Sequence, residues 1–352
     1  VHRLVDPPAP NMARTVAGQA RHEGGENRVI GAGTQAPLGS CRSSTVCWLV
    51  WARAPQDLSM DLTIFLIQCL NAVQYGLLLF LVASGLTLIF GIMGVINLAH
   101  GSFYMVGAYM AFALTPIVER TLGGGFFTVL LVGLVLAVAL GYVLEWAFYS
   151  YLYDREHLQQ VLMTYGLILV FEELRSMLVG DDVHGVKVPE LLAGSLPLGE
   201  LMTYPVYRLF ISGVCLLLAL GMYIVFTRTR LGMMIRAGST NREMVQSLGV
   251  DIKILYRVVF AAGVAIAALA GMVAAPVSSV YPGMGSSVLI ICFVVVVIGG
   301  IGSIKGALVA ALLIGFVDTF GKVLLPQASG VLVYLLMAVV LLWKPDGLFK
   351  AG

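Results

Sequence analysis

Residues 62–118 form a run of 57 without a single Asp, Glu, Lys or Arg. One unbroken helix of that length would measure about 86 Å at 1.5 Å per residue. The hydrocarbon core of a bilayer is only about 30 Å thick. A chain like this must therefore cross an apolar layer, break and return. Near the middle of the run stands GIMGVINLAHGSFYMVGAYM, residues 91–110, in which Asn97 and His100 sit among Gly91, Gly94, Gly101 and Gly107. Glycines permit the break and let backbones pack closely. Backbone broken at membrane depth must be satisfied by protein or line a wet cavity. Asn97 offers donors and an acceptor, and a neutral His100 offers one of each. Two compatible roles follow for Asn97, His100 and Gly101: closing the free backbone ends of two helix segments, and lining a solute pathway. The structural role carries more weight, because a reversal creates several orphaned groups in hydrocarbon.

Composition fixes the class. Hydrophobic residues make up 59% and charged residues 11%, against about 25% charged in a soluble domain. Several apolar runs reach the roughly 20 residues that a spanning helix needs. The alternating ten-residue pattern of an outer-membrane barrel is absent from the sequence. The fold class expected is all-α: a polytopic membrane protein of eight or nine transmembrane helices with broken or re-entrant segments. The five cysteines and five histidines are scattered, and Cys41 and Cys47 match no zinc or redox spacing. No metal site is expected.

Residues 1–59 read differently. They hold six Arg, no Lys and one short apolar patch, TVCWLVWA, too short to span a membrane. Six basic against four acidic residues there account for the formal charge of +2, so the remainder is neutral. The expectation is that residues 1–59 are a disordered or non-native extension, that translation starts at or near Met60, and that residues 60–352 form the membrane domain.

Apolar runs between polar breaks predict helices over 63–90, 98–116, 126–149, 159–179, 206–226, 256–277, 286–302, 305–324 and 330–343. Arg228, Arg230, Arg236, Arg242, Lys253 and Arg257 crowd the segment 227–257, whereas 180–205 carries Lys187 beside Asp181, Asp182, Glu190 and Glu200. Cytoplasmic loops are enriched in Lys and Arg, so the first segment is expected inside, the second outside and the C-terminus inside. The start of the first span then falls outside. A cytoplasmic connector needs only a few residues, yet 227–251 has about 25 and shows helical patterning. Ser239 or Thr240 is expected to cap a helix that Gly249 ends. Met244, Val245 and Leu248 would share one face, either docked into a partner or laid on anionic lipid.

At this point a resemblance becomes specific. The stretches GLTLIFGIMGVINLAHGSFYMVGAYM (85–110), RLGMMIRA (230–237), VVIGGIGSIKGALVAALLIG (296–315) and WKPDGLFK (343–350) resemble the permease subunits of branched-chain amino acid ABC importers, the leucine-isoleucine-valine type. The resemblance covers residues 60–352. Lys305 is a departure, standing where such permeases often carry an uncharged residue. The resemblance implies a multi-pass permease in a bacterial inner membrane, a second related permease chain, two ATP-binding subunits and an extracytoplasmic substrate-binding protein. It also implies that 227–257 couples to the ATPases, with Gly232 and Gly249 setting turns and Arg230, Arg236 and Met244 making contact. ATP would bind the partner subunits, no cofactor is expected in this chain, and no nucleic-acid partner is expected. The loop 180–205 and the segment 278–286 are the expected docking surface for the binding protein.

Other classes fit less well. The sole Gly-Lys pair, Gly321-Lys322, precedes Val and lacks the spacing of a P-loop, and hydrolase motifs are missing. An ion-coupled carrier would place ionisable groups near the midplane. Glu145 is expected at a hydrated interface, Glu172 with Arg175 as an i, i+3 pair, and Asp318 with Lys322 as an i, i+4 pair. A stand-alone channel or carrier, or a permease for urea, short amides or other hydrophobic amino acids, is the alternative. Deleting residues 1–59 is expected to leave membrane insertion and uptake unchanged. Loss of uptake by the shortened chain in whole cells would contradict that assignment.

Overall fold

The computed structural model describes residues 62–349, with 124, 154 and 198–202 outside the described set. The expectations for residues 1–59, including Cys41 and Cys47, lie outside the described residues. Among the described residues eleven α-helices follow in order. They are α1 (Leu62–Met93), α2 (His100–Leu122), α3 (Phe126–Ala147), α4 (His157–Val179), α5 (Val206–Arg228), α6 (Arg230–Thr240), α7 (Arg242–Ser247), α8 (Ile252–Ser278), α9 (Met284–Gly299), α10 (Ile304–Leu324) and α11 (Ser329–Trp343). Short 3-10 turns occupy Tyr149–Tyr151 and Glu190–Leu192, and β1 (Ser195–Pro197) pairs antiparallel with β2 (Thr203–Pro205).

These residues form helices because hydrocarbon offers no partner for a free amide, and a helix satisfies its own. Six of the helices (α1, α2, α3, α5, α8 and α10) are long and apolar enough to cross a membrane; α9 and α11 are shorter apolar helices. Helix α4 has 23 residues but carries Glu172, Glu173 and Arg175. Together these nine agree with the eight or nine crossings expected. The boundaries move by up to six residues, most at the end of α2, which runs on to Leu122; at α8, Asp251 accepts from the amides of Lys253 and Ile254 and starts the helix four residues early. The carboxylate satisfies amides that would otherwise be orphaned at the first turn.

Burial separates a central pair from a periphery. In the most apolar stretch of α1 and of α8, 83% of residues are buried, against 22% in α5. Helix α1 packs against α10, α8, α5 and α9, while α2 and α3 pack on α8. Small residues make this possible, as apolar helices in a membrane associate through close contact. A Cβ at Gly76 would lie 2.9 Å from Leu312 Cα, and one at Gly315 would lie 2.6 Å from the Ala72 carbonyl oxygen. On the other side of the core, a Cβ at Gly271 would overlap the Tyr104 carbonyl oxygen of α2. At the end away from 227–257, a backbone bridge joins His184 and Val280, with both N–H···O distances 2.8 Å. It brings together the loops 180–205 and 278–286.

The α2–α8 contact yields a direct test. Gly271→Ala forces α2 and α8 apart, and overpacking of this kind costs about 1–3 kcal/mol. Gly213 in α5 has nothing within 4 Å of a built Cβ, so Gly213→Ala should leave stability unchanged or slightly raised. Thermal unfolding in detergent, followed by size-exclusion, should show a lowered midpoint for the first variant alone.

Candidate functional site

The helix break lies where residues 94–99 join α1 to α2. Gly94 takes a φ of 66° immediately after α1, a left-handed conformation that suits glycine. The chain then runs back along the helix it has left. His100 Nε2 lies 2.9 Å from the carbonyl oxygen of Val82, eleven residues before the end of α1. Eleven helical residues span about 16 Å, and six extended ones reach about 20 Å, so 94–99 can climb that distance. Because a carbonyl only accepts, His100 carries its proton on Nε2 and leaves Nδ1 as a bare acceptor. Asn97 Oδ1 accepts from the Ala99 amide at 3.0 Å and from the Tyr149 hydroxyl at 2.7 Å. Asn97 and His100 are both wholly buried. Asn97 Nδ2 and His100 Nδ1 have no partner among the described residues.

Aromatic rings wall the break. The Tyr149 ring lies 4.2 Å from that of Phe260 on α8, and Phe103 meets His100, Phe171 and Phe260 edge to face. Gly101 sets the depth of α2 against α9, since a Cβ there would overlap the Gly285 carbonyl oxygen and lie 2.7 Å from Leu289 Cβ. Tyr149 was invisible to sequence reasoning: it is 52 positions from Asn97, and an isolated tyrosine in an apolar chain carries no motif.

The basic segment folds as two short helices rather than one. Thr229 caps α6 by accepting from the Gly232 amide, and Asn241 caps α7 by accepting from the Met244 amide at 3.1 Å. Ser239 and Thr240 are not the cap expected from sequence. Both belong to the last turn of α6, and the Ser239 hydroxyl donates back to the Arg236 carbonyl. Extended backbone at Asn241, φ −151° and ψ 103°, starts the second helix. Gly249 stands just beyond α7 with a φ of 83°. Gly232 sits in the sharp α5–α6 turn, where a Cβ would overlap the Phe226 carbonyl oxygen. Arg236 donates to that same carbonyl, and Arg230 is exposed at the start of α6. The face proposed for Met244, Val245 and Leu248 divides: Val245 is 4% exposed, while Met244 and Leu248 are 64% and 76% exposed. One turn cannot bury residues at i, i+1 and i+4 against a single neighbour when that neighbour lies under i+1.

Two charge expectations are corrected. Glu145 is not at a hydrated interface but wholly buried. Arg257 Nε of α8 donates to one carboxylate oxygen and the Tyr153 hydroxyl to the other, each at 2.7 Å. A buried charge needs such partners. Arg175 pairs not with Glu172 but with Asp181 at 3.0 Å, and Glu172 instead accepts from Ser286. Arg175 also donates to the Gly180 carbonyl, so the end of α4 draws the guanidinium toward its own last turn. The hydrogen bond from Arg175 holds the exposed Asp181 carboxyl below its ordinary pKa. Asp318 and Lys322 pair as expected, at 2.6 Å.

A family model described as branched-chain amino acid transport system, permease component, matches residues 68–341. The chain belongs to that permease family. It is 30% identical over 296 residues to the high-affinity branched-chain amino acid transport system permease protein BraD of Pseudomonas aeruginosa, covering 81% of this chain and 95% of that protein. It is 29% identical over 294 residues to the corresponding protein LivH of Escherichia coli K12, covering 81% and 95%. A probable LivH of Methanocaldococcus jannaschii is 27% identical over 291 residues, covering 79% and 90%. The chain is thus a multi-pass membrane permease subunit.

In this permease the stretches that carry the resemblance meet at one end of the bundle. A Cβ at Gly91 would lie 2.8 Å from Gly302 Cα, and the tail returns so that the Leu348 and Phe349 amides donate to Ile298 and Gly299 carbonyls. A cavity of about 650 Å³ lies among Gly91, Gly94, Arg236, Gly302 and Phe349. Asn97→Leu removes the acceptor for two buried donors, each worth about 1–3 kcal/mol when orphaned, whereas His100→Leu orphans only the Val82 carbonyl's extra contact. Asn97→Leu should therefore lower the amount of folded permease in membranes more than His100→Leu, and Tyr149→Phe should fall between wild type and Asn97→Leu. Fluorescence-detected size-exclusion of solubilised membranes measures this ranking; equal abundance of all three would refute it.

Proposed function

We propose that the chain is the membrane-spanning permease subunit of an ATP-driven importer of branched-chain amino acids, with α6 and α7 coupling it to separate ATPase subunits. The observation that carries this reading is the two-sided construction of the basic segment. Ile235 and Val245 anchor it, at 7% and 4% exposure, while Met233, Met244 and Leu248 stand 57%, 64% and 76% exposed beside Arg230 and Arg236. A helix pair held rigidly from beneath, with apolar knobs and cations outward, suits a protein cleft better than a tether would. The named substrates of BraD and LivH support the choice of solute. The positive charge of this end supports a cytoplasmic side for it and for the tail through Phe349 beside it.

In this reading a second related permease chain completes the pathway and two ATP-binding subunits hold the nucleotide. An extracytoplasmic binding protein docks on the joined loops 180–205 and 278–286 and acts as the main selector. Exposed apolar faces on α3 and α5 meet lipid or the second permease. Asn97 and Gly101 hold the break closed against neighbouring backbone, and His100, whose Nδ1 is bare, stands next to the route of the solute.

Met244→Glu puts a charge on the docking face, and an unpaired charge is strongly disfavoured in a buried contact. The variant should insert normally while ATPase co-purification and ATP-dependent leucine uptake each fall at least tenfold, equivalent to about 1.4 kcal/mol or more. Normal co-purification with normal uptake would instead mean that the helices rest on the lipid surface.

A further inference from the structure

The end of the bundle opposite the basic segment holds a cavity of about 500 Å³ between α1, α5, α8, α9 and α10. Its lining changes character with depth. Leu78, Val82, Val288 and Ile291 form the deeper apolar part, and Asn71, Arg208, Asp318 and Lys322 lie nearer the helix ends. The volume falls within the roughly 300–1,000 Å³ of small-molecule sites.

The charges do not close on themselves. Asp318 is matched by Lys322 at 2.6 Å, and the Lys322 ammonium also lies 5.5 Å from the centre of the Tyr75 ring. Arg208 is half-buried, donates to Asn71 Oδ1 at 2.7 Å and also hydrogen-bonds the Tyr204 hydroxyl, both neutral partners. Among the described residues no carboxylate forms an ion pair with it. Two cations and one anion leave a single positive charge in a partly dehydrated cavity. Such a charge is disfavoured until an anion joins it, and a planar guanidinium is shaped to receive a carboxylate through two parallel hydrogen bonds. Asp318 is 15% exposed at its side chain and its partner Lys322 is 61% exposed, so the lysine can swing away and release the carboxylate to another ammonium.

We propose that this cavity is a substrate-holding site on the translocation path, taking a zwitterionic α-amino acid with a branched aliphatic side chain. Arg208 holds the α-carboxylate, Asp318 holds the α-ammonium, and the apolar floor of Leu78, Val82, Val288 and Ile291 receives the side chain. This proposal rests on the importer reading above and adds a chain-borne check on what the binding protein delivers. The floor ends at Val82, whose carbonyl is the one that His100 engages, so the held solute would sit directly above the helix break.

The test uses the whole transporter in liposomes, with saturating leucine-loaded binding protein and all values normalised to inserted permease. Arg208→Gln and Asp318→Asn should each lower leucine uptake per ATP hydrolysed at least tenfold. Arg208→Lys, which keeps the charge, should stay within about threefold of wild type. Ile291→Trp fills the floor without touching a charge and should lower the same ratio at least tenfold, which keeps the proposal testable should an Arg208 variant fail to insert. Normal uptake per ATP in Ile291→Trp, or in both charge variants, overturns the site. A parallel loss of uptake and of binding-protein affinity in Arg208→Gln, with uptake per ATP unchanged, overturns it too and assigns Arg208 to docking a protein carboxylate. If the wild-type complex takes up no branched-chain amino acid, the importer reading itself fails; wild-type uptake with indifferent variants removes only this site.

Discussion

A polypeptide inside hydrocarbon has no water to complete its hydrogen bonds, so every departure from helix must be answered by other parts of the chain. The reversal between α1 and α2 is where that demand is greatest. Residues 94–99 leave the helix at Gly94 and climb alongside it, and their needs draw in Tyr149 from beyond α3 and the Val82 carbonyl from the middle of α1. Tyr149 can reach Asn97 only because α3 and α8 pack closely enough to seat its ring on Phe260. The central position of α8, the depth of α2 and the path of the connection after α3 are thus consequences of one requirement.

Helix α8 joins this buried break to the basic segment. Its first turn follows Asp251, directly after α7, and it packs on α6 and α7 at that end. Two turns further on, Arg257 clasps the buried Glu145 of α3. Gly263 then meets α1 at Gly85, whose built Cβ would lie 3.0 Å from the His100 ring. Helix α8 thus runs unbroken from its contacts with α6 and α7 to the neighbourhood of the break.

Much of this was legible in the sequence, for identifiable reasons. Spans are readable because length and apolarity are set by the solvent, not by partners. The break was readable because glycines, Asn97 and His100 have no purpose in an uninterrupted apolar helix. The caps were misplaced because Ser239 and Thr240 have the right chemistry at the wrong turn, and only the length of α6 decides in favour of Asn241. Glu145 was misjudged because its partner Arg257 is 112 positions away. Arg208 was not singled out at all, because a lone arginine near a helix start resembles an interfacial anchor until the walls of the cavity are assembled around it.

The placement of charge bears on how such a molecule is driven. A carrier run by an ion gradient needs a group that changes charge within the membrane and is exposed in turn to each side. Among the described residues, the buried polar side chains are Gln74, Ser84, Thr87, Asn97, His100, Ser102, Glu145, Gln160 and Thr164. Glu145 alone among them is an acid, and it is locked to Arg257 and Tyr153 at the end that bears the basic segment. The Asp318–Lys322 pair stands near the opposite end. Between the two, at the depth of the break, His100 donates to a backbone carbonyl and is walled by Phe103. In the reading proposed above, ion pairs toward the ends of the bundle and a reversal without a buried acid between them suit a bundle pulled open from one end. The partner ATPase proposed to act on α6 and α7 would supply that pull.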